Sequence, residues 1–282
     1  MHFSTARRAL LPVLVLASLF ALASSSTLAQ DLNGFLRAKG TGDVALSFTS
    51  ESYDEFWVGE MTVSNPDVGE VDTMTASLWA AYGLADRWTL FATLAWVDAE
   101  GDGLAGFEDS GIQDVSAVAA YRIASFGGND GHTLVGAAGV RTPASDYEGD
   151  APVSLGDDTT DWLARLVYQF RTGGFYVSQQ VGYDVRGDDA PDGFPLYTEA
   201  GYTFGRTTVN VFLSKYLADG GTDIGDPGFT FPSNEEEFER TGARAYVRIN
   251  DRFGLSLSGY TTLDGRNTGD STGGSLGANF SF

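Results

Sequence analysis

From about residue 43 to the end of the chain, apolar and polar side chains alternate with a period of two, and helical periodicity is hard to find. Twelve such runs are legible: 43–57, 72–83, 87–98, 112–124, 131–141, 159–170, 174–185, 195–204, 207–217, 237–249, 252–263 and 272–282. Most are about as long as a strand must be to cross a bilayer at a tilt. The links between them alternate in length. Leu84-Ala85-Asp86, Arg171-Thr172-Gly173, Gly205-Arg206 and Asn250-Asp251 are tight turns, whereas 58–71, 99–111, 142–158, 186–194, 218–236 and 264–271 are long and rich in Asp, Glu, Gly and Pro. The pattern predicts an all-β fold: a transmembrane antiparallel up-and-down β-barrel of twelve strands, with short periplasmic turns and long acidic extracellular loops.

The two faces of the runs differ in chemistry. In 237–249, Arg240, Arg244 and Arg248 share a face with Gly242 and Tyr246, while Thr241, Ala243, Ala245, Val247 and Ile249 share the other. In 159–170, Asp161, Arg165 and Gln169 oppose Trp162, Ala164, Leu166, Tyr168 and Phe170. Charge is costly in lipid and tolerable in a wet lumen, so the charged faces are expected inside. A soluble sandwich also alternates, but its inner faces rarely carry a charge every fourth residue. Run 87–98 is apolar on both faces and does not assign its own orientation. Trp57, Trp88, Trp96, Phe170, Tyr183, Phe204 and Phe253 lie near run ends, where interfacial girdles form. In the last run, Leu276, Ala278, Phe280 and Phe282 alternate with Ser275, Gly277, Asn279 and Ser281. Its terminal aromatics Phe280 and Phe282 resemble the C-terminal signal read by the outer-membrane insertion machinery.

The first 29 residues break the pattern. Arg7 and Arg8 precede an apolar run, and Thr27-Leu28-Ala29 suits cleavage, so 1–29 reads as a signal peptide and 30–282 as the barrel. The implied location is the outer membrane of a Gram-negative bacterium, among its lipids and lipopolysaccharide. The formal net charge of -21 argues against nucleic acid as a partner. The absence of cysteine excludes disulfides and thiolate metal sites.

The chemistry available to an enzyme is thin. His2 falls in the leader, which leaves His132 near a turn as the one histidine for a nucleophile–base pair, and no catalytic residue is assigned. The candidate lumen-lining residues are Glu51, Asp114, Arg122, Asp161, Arg165, Glu199, Arg240, Arg244 and Arg248. Opposed acids and bases could form a hydrogen-bonded plug or line a selective passage. The three arginines of 237–249 would favour small anions or carboxylated aromatics if the bore is open. No cofactor is expected, although acidic loop residues Asp98, Glu100, Asp102, Asp146, Glu148 and Asp150 could bind calcium. Their spacing does not match a regular calcium loop. The plainer account is a set of solvated, mutually repelling loops.

Three stretches carry a family resemblance: SGIQDVSAVAAYRI at 110–123, GVRTPASDYEGD at 139–150 and GGFYVSQQVGYDVRG at 173–187. They resemble the outer-membrane barrel family named after the phenol-degradation meta-pathway protein. The positions that carry it are Gly111–Asp114, Pro143–Tyr147, and Gly182 and Tyr183 with Arg186. The resemblance implies architectural roles for these residues and a transporter of aromatic or hydrophobic compounds. Three functions therefore stand: a transporter or narrow channel for small compounds, a structural or adhesion barrel with an occluded lumen, and, least favoured, a membrane enzyme. A monomer is expected.

Overall fold

The computed structural model describes residues 32–64, 66–128, 130–147, 155–156, 158–187 and 189–282. The expected leader at 1–29 lies outside the described residues, as do Glu148 and Asp150. Fourteen strands follow in order: β1 (Gly42–Tyr53), β2 (Phe56–Val58), β3 (Met61–Val63), β4 (Val71–Ala85), β5 (Trp88–Gly101), β6 (Glu108–Phe126), β7 (Gly131–Pro143), β8 (Asp161–Thr172), β9 (Phe175–Val185), β10 (Asp192–Phe204), β11 (Thr207–Asp219), β12 (Glu237–Arg248), β13 (Phe253–Arg266) and β14 (Thr272–Ser281). Twelve of them close a barrel, and β2 and β3 form a separate hairpin inside the first long loop. Every neighbouring pair in the barrel is antiparallel, and β1 meets β14 from Asp43↔Ser281 to Ser52↔Thr272. Closure leaves no open sheet edge, the condition for a sheet to stand in lipid.

All twelve expected runs are strands of this ring, with differences in their bounds. The first run ends at Tyr53 rather than 57, because the strand breaks at Asp54-Glu55 and the chain beyond it folds back on itself at Gly59, which has a φ of +56°. Trp57 is consequently buried in the loop hairpin, with its ring against Gly265, and is no girdle residue. The link expected at 99–111 shrinks to 102–107, because β5 and β6 stay paired out to Glu100↔Glu108.

Exposure assigns the faces. Leu46, Phe48, Leu78, Trp88, Leu90, Trp96, Ile123, Leu166, Val211, Leu257 and Leu276 are exposed on the outer surface. Thr89, Phe91, Ala95 and Val97 are buried inside, which settles β5: its tryptophan face looks outward. A water-soluble protein rarely shows an apolar patch beyond a few hundred Å². Here the apolar belt runs around the ring, so it requires a non-aqueous neighbour. Among the described residues no helix is long and apolar enough to cross a membrane, which says nothing of a barrel crossing by strands.

Candidate functional site

The lumen is divided into three parts, and the first was not expected. Residues 32–37, ahead of β1, lie inside the barrel against the β4–β10 wall. The Leu32 N–H donates to Gln180 Oε1 at 2.8 Å, and Asn33 Nδ2 donates to Glu199 Oε1 at 3.0 Å. The Asn33 carbonyl accepts from Ser178 Oγ at 2.8 Å and also from Gln169 Nε2. Phe35 meets Tyr176 edge-on with centroids 5.0 Å apart, and the Arg37 N–H donates to Thr89 Oγ1 at 2.9 Å. Leu32 and Leu36 pack into the apolar inner wall of Ala81, Phe91, Val118, Ala120, Val135, Leu163 and Val167. Burying one such leucine is worth about 1.5–3 kcal/mol. Glu199, expected to face a passage, serves here as an anchor: Tyr197 OH also donates to it at 2.7 Å.

The second part is a charged network toward the loop end of β6–β9. Arg141 Nε lies 2.9 Å from Asp161 Oδ2 and 3.7 Å from Asp114 Oδ2. Arg186 Nε lies 3.7 Å from the other oxygen of Asp161, and Thr159 donates to that oxygen at 2.8 Å. Arg165 clasps Asp184 with both terminal nitrogens, Nη2 at 3.1 Å from Oδ2. Tyr147 OH donates to Asp114 at 2.5 Å. Asp114, Asp161 and Arg165 are thus brought together, and with Arg141, Arg186 and Asp184 they form a charge-balanced filling. Sequence reasoning missed Arg141, Asp184 and Arg186 as partners. The signal for two of them was present: Asp184 shares the inward parity of Tyr176, Ser178 and Gln180, and Arg141 that of Val135. Several positions behind the family resemblance converge here, whereas Tyr183 faces outward, where its OH donates to Asp192 and Asp219. Gly182 lies opposite Arg165, and a Cβ there would sit 2.7 Å from Arg165 Cδ. A wide bulge-like irregularity opposite Ala95 turns both Gln113 and Asp114 away from the outer surface.

The third part is open. A cavity of about 640 Å³ runs along the inner faces of β1, β4, β13 and β14, from Asp43 and Ser281 at the turn end to Glu51, Thr73 and Tyr260 at the loop end. Its outer wall is made of small polar groups such as Ser47, Thr49, Ser77, Ser258, Ser275 and Gly277, and its inner wall is the segment 32–37. Large rings stay out of the way because glycines lie beneath them: Tyr260 covers Gly273, and Tyr246 covers Gly254. Arg240 and Arg244 line the cavity. Arg240 stacks over Phe238 at 4.5 Å and Arg244 over Phe212 at 5.8 Å. Glu51 accepts from Tyr260 OH. Above this end, Tyr53, Phe56, Val68, Val71, Ala99 and Ile224 form an apolar cap.

The remaining candidates lie elsewhere. Arg248 has the inward parity of Arg240 and Arg244 but is exposed at the turn end, outside the cavity. Only two rungs of the expected arginine ladder therefore share one space. Arg122 is half-buried at the turn end of β6 and also outside the cavity. His132 lies on the outer face, where Nδ1 is 2.6 Å from Tyr168 OH and the ring packs between Phe126 and Phe170. Of the loop acids, Asp98 and Glu100 lie on the outward face of β5, Asp102 accepts the Glu70 N–H, and Asp146 is exposed. Among the described residues no three His, Asp or Glu side chains converge as a metal site.

A twelve-stranded ring with an internal leading segment can be compared with known proteins. The sequence model of the family described as "Putative MetA-pathway of phenol degradation" matches residues 68–278. The chain belongs to this family. It is similar in fold to the COG4313 outer membrane channel from Pseudomonas putida F1, with a TM-score of 0.73 at 16% identity over 89% of this chain and 98% of that one. It is also similar to the NanC porin, with a TM-score of 0.51 at 8% identity over 85% and 98% of the two chains. No curated protein matches it.

Proposed function

We propose that this family member is an outer-membrane channel passing small compounds along the slot between residues 32–37 and the β1, β4, β13 and β14 wall. The observation that carries the reading is the cavity itself, about 640 Å³ and continuous in its lining from one end of β1 to the other. Its chemistry suits small molecules with an aromatic or apolar body and one polar end. Trp79, Phe91 and Tyr176 offer apolar surface, hydroxyl groups line the opposite wall, and Arg240 and Arg244 offer charge. The charged network of β6–β9 stiffens the remainder of the lumen. The outer apolar belt and the fold likeness to outer-membrane channels support the location.

The test is conductance in planar bilayers. The intact barrel should give a small unitary conductance, and removal of residues 32–37 should raise it several-fold. Neutralising Arg240 and Arg244 should move the reversal potential toward cation selectivity. No conductance in either form would overturn the channel reading. That outcome would favour a structural barrel, for which the folded apolar cap over the loop end is the supporting observation.

A further inference from the structure

Arg37 ends the internal segment, and its backbone is pinned on both sides. Its N–H is held by Thr89. The turn that follows is tied to the end of β4, where the Gly40 N–H donates to the Gly83 carbonyl at 2.8 Å and the Gly83 N–H to the Thr41 carbonyl at 2.9 Å. From there the guanidinium reaches across the slot and pairs through Nη2 with Asp43, the first acid of β1. Asp43 also accepts from Ser281 Oγ, and all three residues line the turn end of the cavity. The two charges of this pair are not equally accessible. The Asp43 side chain is 7% exposed and that of Arg37 is 34% exposed. A solute at this end therefore meets the cation, with its counter-charge tucked behind it.

More positive charge stands next to it. Arg248 lies opposite Gly254 and has the inward parity of Tyr246. Tyr246 lines the slot, and its hydroxyl lies in the field of Asp43, Arg248 and Arg37. Arg248 is exposed and makes no ion pair with a described carboxylate. Arg252 borders the same end, since its carbonyl accepts the Ser281 N–H at 2.7 Å. The acids of the adjacent turns, Asp86 and Asp251, are exposed and lie outside the cavity. The turn end of the slot thus carries a surplus of positive charge within a molecule that is acidic as a whole. In a narrow passage with low-dielectric walls, such a surplus concentrates anions and repels cations.

We propose that Arg37 is a specificity-determining residue: with Arg248 beside it, it forms an anion filter at the turn end of the slot and selects small carboxylates over cations. The inference rests on the slot reading above. It adds a filter carried by the internal segment itself, apart from Arg240 and Arg244 farther along β12 toward the loop end. Asp43 is the resting counter-ion. A passing carboxylate takes its place on the guanidinium through the same paired, charge-assisted hydrogen bonds.

The chain has no cysteine, so Ser47→Cys places a single thiol on the slot wall, two inward positions beyond Asp43. The experiment labels this variant, refolded in detergent, with two methanethiosulfonates of similar size, the anionic sulfonatoethyl and the cationic trimethylammonioethyl reagents. Each rate is normalised to that of a free thiol in water, and heat-modifiable migration on a gel selects the folded barrel. The anionic reagent should be favoured. Adding R37Q should lower that preference about fivefold, the effect of one nearby charge partly screened by water, and adding D43N should raise it. R37K, which keeps the charge, should retain the preference; its loss in both Arg37 variants would mark a purely structural role and overturn the proposal. So would an absence of labelling, rates blind to the sign of the charge, or a preference that R37Q leaves unchanged. Unitary conductance of the same protein in potassium chloride separates the two readings. Charge-selective labelling without conductance would sink the channel and leave the filter standing, and conductance with charge-blind labelling would do the reverse.

Discussion

Single residues decide how the lumen is filled. Arg165 and Asp184 are both almost fully buried, and each is the other's counter-charge. Leaving one of them alone in that setting costs about 3–5 kcal/mol, because an uncompensated buried charge remains. Arg165→Met should therefore destabilise the barrel by roughly that amount in urea titrations of the folded band. The double change Arg165→Met with Asp184→Leu should recover more than half of the loss, since it removes both charges. Equal losses for the single and double variants would show that shape, not charge, is what matters. Gly182→Ala acts on the same pair from the other side: its methyl group would press on the Arg165 side chain that now lies over the glycine. A smaller destabilisation, about 1–3 kcal/mol, is expected from such overpacking.

At the scale of elements, the loops are organised by one cation. Arg266, at the end of β13, pairs with Asp223 at 2.8 Å and Glu235 at 3.1 Å, and lies 3.8 Å from Glu60. It is also the cross-strand partner of Glu237. Its neighbour Asn267 accepts the N–H groups of Gly59 and Ile224 and donates to Asp223 and to the Glu235 carbonyl. Hydrogen bonding from Arg266 holds the Asp223 carboxyl below its ordinary range, whereas burial raises that of Glu235. The signs oppose each other. Asp223 strengthens the closed loops above the ordinary carboxylate pKa of about 3.9 and stops doing so as pH falls through its lowered value. Glu235 is disfavoured as an anion in the closed loops, and its protonation in weak acid relieves that cost. The loops should stay closed in weak acid and open only in strong acid, read by limited proteolysis within 220–236. Arg266→Gln should open them at neutral pH; unchanged cleavage in that variant would show that Asn267 and the apolar cap suffice. The strands were legible from alternation, since each presents one face to an apolar surround and one to a crowded interior. Segment 32–37 was not, because it carries no alternation and its position depends on partners far away in sequence, at Gln180 and Glu199. Strand β2 was merged with β1 for a related reason: Tyr53 and Trp57 keep one period-two face, and only the short break at Asp54-Glu55 separates the two strands.

For the whole molecule, the decisive event is closure of the ring, and it occurs at the chain's last residue. Phe282 exchanges both backbone hydrogen bonds with Gly42, at 2.8 and 2.9 Å. Its ring stacks on Tyr82 at 6.3 Å and on Phe280 at 6.2 Å, tying β14 to β4 across β1. The seam nevertheless has its full β1–β14 register from Ser281 to Thr272 without Phe282. Removing that residue therefore takes away two hydrogen bonds and two exposed aromatic contacts from a seam that keeps the rest of its ladder. The inserted barrel should be nearly unchanged, with unitary conductance within about a factor of two, since such hydrogen bonds are worth only about 0.5–1.5 kcal/mol each. Assembly is a different matter, because an unclosed sheet in lipid leaves peptide groups unpaired at several kcal/mol each. The aromatic end of β14 lies at the seam with β1, which makes assembly the step where its loss is expected to be felt. Deleting Phe282 should lower the amount of heat-modifiable barrel in outer-membrane fractions several-fold, and Phe282→Tyr should restore it. Normal membrane levels with altered conductance would invert this account, making the terminal phenylalanine part of the pore's stability rather than of its assembly.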